Sequence, residues 1–122
     1  PNWEPHPIQG WTPDFIPKIA QKGVDMKLVD DIIPVSGPDA MATSKALATQ
    51  EGIFTGVSGG ATAAAALKVC ETAPEGSVVL CMIPDTGERY LSTPLFEDIQ
   101  ADMNEAEIEI SNSTPNFQLP ME

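Results

Sequence analysis

Three short apolar runs stand out along the chain: Asp31 to Val35 (DIIPV), Gly52 to Val57 (GIFTGV) and Ser77 to Ile83 (SVVLCMI). Each has the length of a strand. Pro34 limits the first to an edge or a strand end. The third is almost wholly apolar, which predicts a central strand covered on both faces. Between these runs the pattern turns helical. Ser36 to Asp39 (SGPD) predicts a helix start, with Ser36 as cap, Pro38 in the first turn and Asp39 near the positive pole. The run to Gln50 puts Ala40, Ser44, Leu47 and Ala48 on one face, and Gly52 supplies a stop. A second helix, from about Gly59 to Glu71, holds four consecutive alanines and predicts a slim rod able to press against a sheet. Strand, helix, strand, helix, strand reads as α/β with right-handed crossovers. Residues 1 to 17 read as extended, their prolines too closely spaced for a helix.

The character changes near the C-terminus. Residues 97 to 122 hold seven acidic side chains and no Lys or Arg. Within them NEAEIEIS alternates, with Glu105, Glu107 and Glu109 on one side and Ala106, Ile108 and Ile110 on the other. Period two predicts a strand whose apolar side docks on a surface or a sheet edge. A loosely held extension is the alternative.

Size and charge narrow the classes. The 122 residues, 42% of them apolar, suit one small globular unit at most. Eighteen acidic against six basic side chains give a formal charge of −12. No basic stripe exists to displace counterions from nucleic acid, and an anionic membrane surface is disfavoured for the same reason. Cys70 and Cys81 sit in apolar contexts and read as buried, reduced thiols. No apolar run reaches transmembrane length, and no secretory or transit segment opens the chain. The proline-dense start PNWEPHPIQGWTP, without an initiator Met, reads like the interior of something longer.

The stretch Gly56-Val57-Ser58-Gly59-Gly60 fits G-x-S-x-G, a pattern of nucleophilic serines on strand-to-helix turns. Such a serine needs a histidine following it in the chain. The lone His6 precedes it, so a hydrolase is disfavoured. Two readings stay open. Ser58 is well placed as an N-cap for the alanine-rich helix. It would also lie at the carboxyl end of a strand, where open α/β sheets bind ligands. The surrounding glycines allow positive φ and close approach by a ligand. The turn Pro84-Asp85-Thr86-Gly87 would occupy the equivalent place after SVVLCMI, so the two turns suggest one crevice.

Several segments together resemble one family. PHPIQG (Pro5 to Gly10), DFIP (Asp14 to Pro17), LVDDII (Leu28 to Ile33), EGIFTGVSGGATAAAALK (Glu51 to Lys68) and GERYLSTPLFEDI (Gly87 to Ile99) are similar, in order and spacing, to the C-terminal part of cysteine synthase, the O-acetylserine sulfhydrylase of the fold type II pyridoxal-phosphate enzymes. GERYLST is the most specific piece. The resemblance implies the C-terminal portion of the large, cofactor-binding domain of a tryptophan synthase β-like enzyme, a three-layer α/β/α unit, over residues 1–99, followed by an acidic extension over 100–122. It implies pyridoxal 5′-phosphate as cofactor and β-replacement of O-acetyl-L-serine by sulfide, giving L-cysteine and acetate.

The resemblance also assigns residues. Ser58 would donate to the pyridine nitrogen of the cofactor, leaving the ring neutral. Gly56 and Gly59 would border it, and Pro84 and Asp85 would form the loop beside the ring, with Asp85 where serine is common. Gln9 and Gly10 would face the substrate, although Trp11-Thr12-Pro13-Asp14 replaces the frequent Ile-Gly-x-Gly there; Trp11 either narrows the entrance or packs. Arg89 reads as a structurally paired side chain, Lys45 as a solvated one. The Schiff-base lysine and the phosphate loop are absent, so no catalytic residue and no metal ligand is expected in this chain. Expected partners are the remainder of the enzyme chain, a second copy in a homodimer, and serine acetyltransferase. The expected compartment is the cytoplasm, or a plastid or mitochondrial interior. A non-catalytic structural or interaction subunit derived from the same fragment is the rival.

Overall fold

The structure is a computed structural model that describes residues 6–8, 10–11 and 15–113. Four α-helices follow in order: α1 (Lys18–Asp25), α2 (Gly37–Ala46), α3 (Val57–Cys70) and α4 (Glu105–Ser113). A widened π-turn, Leu47–Glu51, prolongs α2, and a 3-10 turn, Gly87–Tyr90, follows the third apolar run.

The two central helices form where the chain pattern puts them. Ser36 Oγ accepts the Asp39 N–H at 3.1 Å, and a proline occupies the first turn. Gly52 ends the π-turn in the left-handed region, φ 69°, its N–H bonded to the Leu47 carbonyl. Ala40 and Ser44 are buried as expected, whereas Leu47 and Ala48 are only partly covered. The second helix begins at Val57, two residues earlier than expected. Its small residues press against α2 rather than a sheet. A β-carbon on Gly60 would overlap the Ala40 carbonyl oxygen and stand 2.7 Å from Ser44 N, so the helices meet backbone to backbone there. The buried Ser44 hydroxyl donates to the Thr55 carbonyl at 2.8 Å and ties α2 to the entry of α3. Around this contact Ile8, Ala40, Val57, Ala61, Leu95 and Phe96 make the core.

The three runs expected as strands form none among the described residues. A strand exists only where its N–H and C=O groups meet a neighbour, and the three runs make no ladder with one another. Ser77 to Ile83 is not covered on both faces either. Val78 and Leu80 are 96% and 95% exposed, while the alternate Val79 and Ile83 are 37% and 36% exposed. One side thus leans on the protein and the other is bare.

NEAEIEIS is a helix, not a strand. Asn104 Oδ1 accepts the Glu107 N–H at 3.0 Å, and Glu107 Oε2 accepts the Asn104 N–H at 2.8 Å. This reciprocal capping box secures the first turn locally and overrides the alternating pattern. No residue of α4 is buried. No element was expected at α1, which closes with a Schellman turn: Leu28 N–H bonds to the Gly23 carbonyl at 3.0 Å, with Lys27 in the left-handed region, φ 56°. Cys70 is exposed and Cys81 half-exposed, so neither is the buried thiol expected. Among the described residues no helix is long and apolar enough to cross a membrane.

Candidate functional site

The N-cap of α3 is Gly56, and no side chain caps this helix. Ser58 therefore sits inside the first turn, not at the cap position. Its carbonyl accepts the Thr62 hydroxyl at 2.9 Å. Its own hydroxyl bonds to no described residue, and it lines a cavity of about 820 Å³. Pro7, Ile8, Gly10 and Trp11 form one wall, Met41 of α2 a second, and residues between Pro84 and Leu95 a third. His6 is not on the wall; its Nδ1 accepts the Ile8 N–H at 3.1 Å.

The glycines around Ser58 make close protein contacts. A β-carbon on Gly56 would overlap the Tyr90 ring, and one on Gly59 would overlap Thr55 Oγ1. Neither Gly56 nor Gly59 lines the cavity. Among the described glycines only Gly52 and Gly76 have positive φ.

The Gly56 and Asp85 turns are stitched together, as the idea of one crevice requires. Asp85 Oδ1 accepts the Gly56 N–H at 3.3 Å, and Asp85 Oδ2 accepts the Tyr90 hydroxyl at 2.5 Å. The Thr55 hydroxyl donates to the Asp85 carbonyl at 3.2 Å, and Gly87 N–H donates to the Phe54 carbonyl at 3.1 Å. A β-carbon on Gly87 would stand 2.7 Å from the Phe54 ring. Each segment thus offers a glycine to the other's aromatic ring. The hydrogen bond to Asp85, then burial and the carboxylate's charge, push the Tyr90 phenol above its ordinary pKa.

Ser58, Pro84, Asp85 and Gly10 share the cavity wall; Gln9 lies outside the described residues. Trp11 is half-exposed on the wall and is fixed by its N–H to the Ile8 carbonyl, 3.1 Å. Arg89 is not the paired side chain expected: it is exposed, lines the cavity and forms no ion pair among the described residues. Lys45 is not merely solvated, since its Nζ lies 2.6 Å from Asp98 Oδ1. That bond holds the Asp98 carboxyl below its usual range. Tyr90 and Met41 escaped the sequence reading. Tyr90 had a signal, because it lies within GERYLST, the most specific piece of the resemblance.

The wall suits one end of a pyridine-type cofactor. It presents a hydroxyl donor without a partner among the described residues, beside Pro84 and Val57, in a space larger than such a ring needs. No lysine lines it.

The profile of the pyridoxal-phosphate dependent enzymes matches residues 3–85. The chain is 48% identical over 105 residues to O-ureido-L-serine synthase of Streptomyces lavendulae, covering 86% of this chain and 31% of that protein. It is 43% identical over 96 residues to cysteine synthase A of Escherichia coli (strain K12), covering 78% of this chain and 28% of that one. It spans about a third of these relatives. The crystal structure of O-ureido-L-serine synthase overlays with a TM-score of 0.74 at 47% identity, over 88% of this chain and 33% of the other. Cysteine synthase from Entamoeba histolytica overlays at 0.68 and 39%, over 88% of this chain and 30% of the other. These matches support the α/β, fold type II class, which the helices of this chain represent in part.

Proposed function

Because the chain belongs to the pyridoxal-phosphate dependent enzymes, we propose that it supplies the ring-nitrogen side of the cofactor site in an enzyme that replaces the β-substituent of an activated serine. The reaction we infer is that of a cysteine synthase, with O-acetyl-L-serine and sulfide giving L-cysteine and acetate. One observation carries this reading: the Ser58 hydroxyl, without a partner among the described residues, on the cavity wall at the start of α3.

Pyridoxal phosphate, when bound, supplies the electron sink for departure of the β-substituent. The role of this chain is to hold that group and shape its surroundings. Ser58 Oγ–H would donate to the ring nitrogen, and because a hydroxyl does not readily give up its proton, the nitrogen would stay neutral. Pro84 would flank the ring, and Trp11 and Met41 would border the space beside it. The anchoring lysine and the phosphate loop would come from polypeptide equivalent to the further length of the relatives. The bare side of the third apolar run, with Val78 and Leu80 almost wholly exposed, supports such a covering.

A second reading concerns only the nucleophile. The higher identity and TM-score with O-ureido-L-serine synthase favour a hydroxylated urea in place of sulfide. Turnover of both nucleophiles by the cofactor-loaded assembly separates the two. In that assembly Ser58→Ala is expected to slow turnover at least tenfold, about 1.4 kcal/mol of transition-state stabilisation, and to perturb the visible band of the cofactor. An unchanged rate and spectrum remove the role of Ser58. An assembly that never takes up cofactor supports a non-catalytic subunit instead.

A further inference from the structure

Asp85 is a carboxylate on the cavity wall, and each of its oxygens accepts a hydrogen bond from the protein. One oxygen accepts the Gly56 N–H at 3.3 Å and the other the Tyr90 hydroxyl at 2.5 Å. The second bond lies at the short end of charge-assisted O–H···O⁻ bonds. Gly56 is the N-cap of α3 and Ser58 follows it in the first turn. The carboxylate thus sits against the positive end of the helix that presents the Ser58 hydroxyl.

We propose that Asp85 is a positioning residue acting through Ser58: restrained by Gly56 and Tyr90, its charge sets how strongly the Ser58 hydroxyl and a heteroaromatic nitrogen share a proton, without contact between Asp85 and the ring. The proposal rests on the reading of Ser58 under Proposed function. A nearby anion makes such a nitrogen more basic. Tyr90 draws part of that charge into its own hydrogen bond. Arg89 opposes it from the same wall. Among the described residues Asp85, Tyr90 and Arg89 are the titratable groups on the wall; α2 contributes only Met41, and Pro7, Ile8, Gly10 and Trp11 of the N-terminal wall are uncharged.

The signs follow. Tyr90→Phe leaves the carboxylate less neutralised and gives the ring nitrogen more proton character. Asp85→Asn removes the charge and moves the nitrogen the other way. Asp85→Asn is expected to alter the nitrogen's proton affinity about tenfold, the reach of one charge at an effective dielectric near 20; Tyr90→Phe, which removes a neutral donor and no charge, shifts it by less.

The test is NMR of isotopically labelled ring nitrogen in the cofactor-loaded assembly, comparing the parent with Ser58→Ala, Asp85→Asn and Tyr90→Phe. Opposite shifts in the last two, toward the protonated value in Tyr90→Phe, support the proposal. Shifts in one direction, as a shared scaffolding role would give, overturn it. If Ser58→Ala moves the resonance and the other two do not, the Ser58 reading stands and this proposal falls. If none moves it, both fall. Should Asp85→Asn fail to hold cofactor, Arg89→Gln replaces it: a shift matching Tyr90→Phe supports the proposal, and no shift or the reverse shift overturns it.

Discussion

The ring of Tyr90 lies on the backbone of Gly56, leaving no room for a side chain between them. The contact joins the turn that carries Ser58 to the GERY segment, and Asp85 bridges the same two residues by hydrogen bonds. Gly56→Ala is expected to destabilise the assembled protein by about 1–3 kcal/mol, the usual cost of overpacking. It should also displace the Ser58 turn. Trimming the ring with Tyr90→Ala should recover part of that loss, so that the double variant is less damaged than the sum of the singles. Denaturant unfolding of the four proteins checks this; strict additivity counts against the contact.

Tyr90 makes stability depend on alkaline pH. The fold raises the Tyr90 pKa, chiefly through the bond to Asp85. The stabilisation is therefore fully present below the unfolded value of about 10 and is lost as pH rises through the higher folded value. Melting temperatures measured across that window should fall more steeply for the parent than for Tyr90→Phe. Parallel curves would contradict the assignment. Asp98 has the opposite sign: its pKa is lowered, mainly by Lys45, so its contribution disappears as pH drops below the ordinary carboxylate range.

Lys27 occupies the left-handed position that ends α1, where glycine is usual. Lys27→Gly relieves this and should stabilise by about 0.5–1 kcal/mol. Its side chain is exposed, so little is lost in exchange. A lower denaturation midpoint would show that the lysine side chain does something beyond the turn.

The bare side of the third apolar run predicts behaviour of the isolated chain. Residues 1 to 122 alone should be insoluble or molten, and a sharp, reversible melting transition would contradict this. Val78→Ser with Leu80→Ser should improve solubility of the isolated chain and impair its incorporation into a larger assembly. Equal incorporation would show that this side stays in water.

Much of the local structure was legible because its cause is local. Ser36, Pro38 and Gly52 each act within a few residues, and α2 with its ending follows from them. The alanine-rich α3 was legible for the same reason. Asn104 and Glu107 spelled a capping box, yet the alternating glutamates were the louder signal, and helix was read as strand. The strands failed for a different cause. Hydrophobicity marks a segment that can join a sheet, while the ladder itself depends on partners. At the site, Ser58 was legible from its motif. The use of Gly56, Gly59 and Gly60 was not, because each answers a group distant in sequence: Tyr90, Thr55 and the α2 backbone.

The π-turn at Leu47–Glu51 gives the chain between α2 and Thr55 some slack. A π-turn holds one residue more than an α-turn, and here both Gly52 and Ile53 return their N–H groups to the Leu47 carbonyl. Deleting one residue within the turn lets it tighten to ordinary helical pitch, with Ser44 and Thr55 still in register. A one-residue change in length would therefore be absorbed upstream of the Ser58 turn, in a stretch that does not line the cavity.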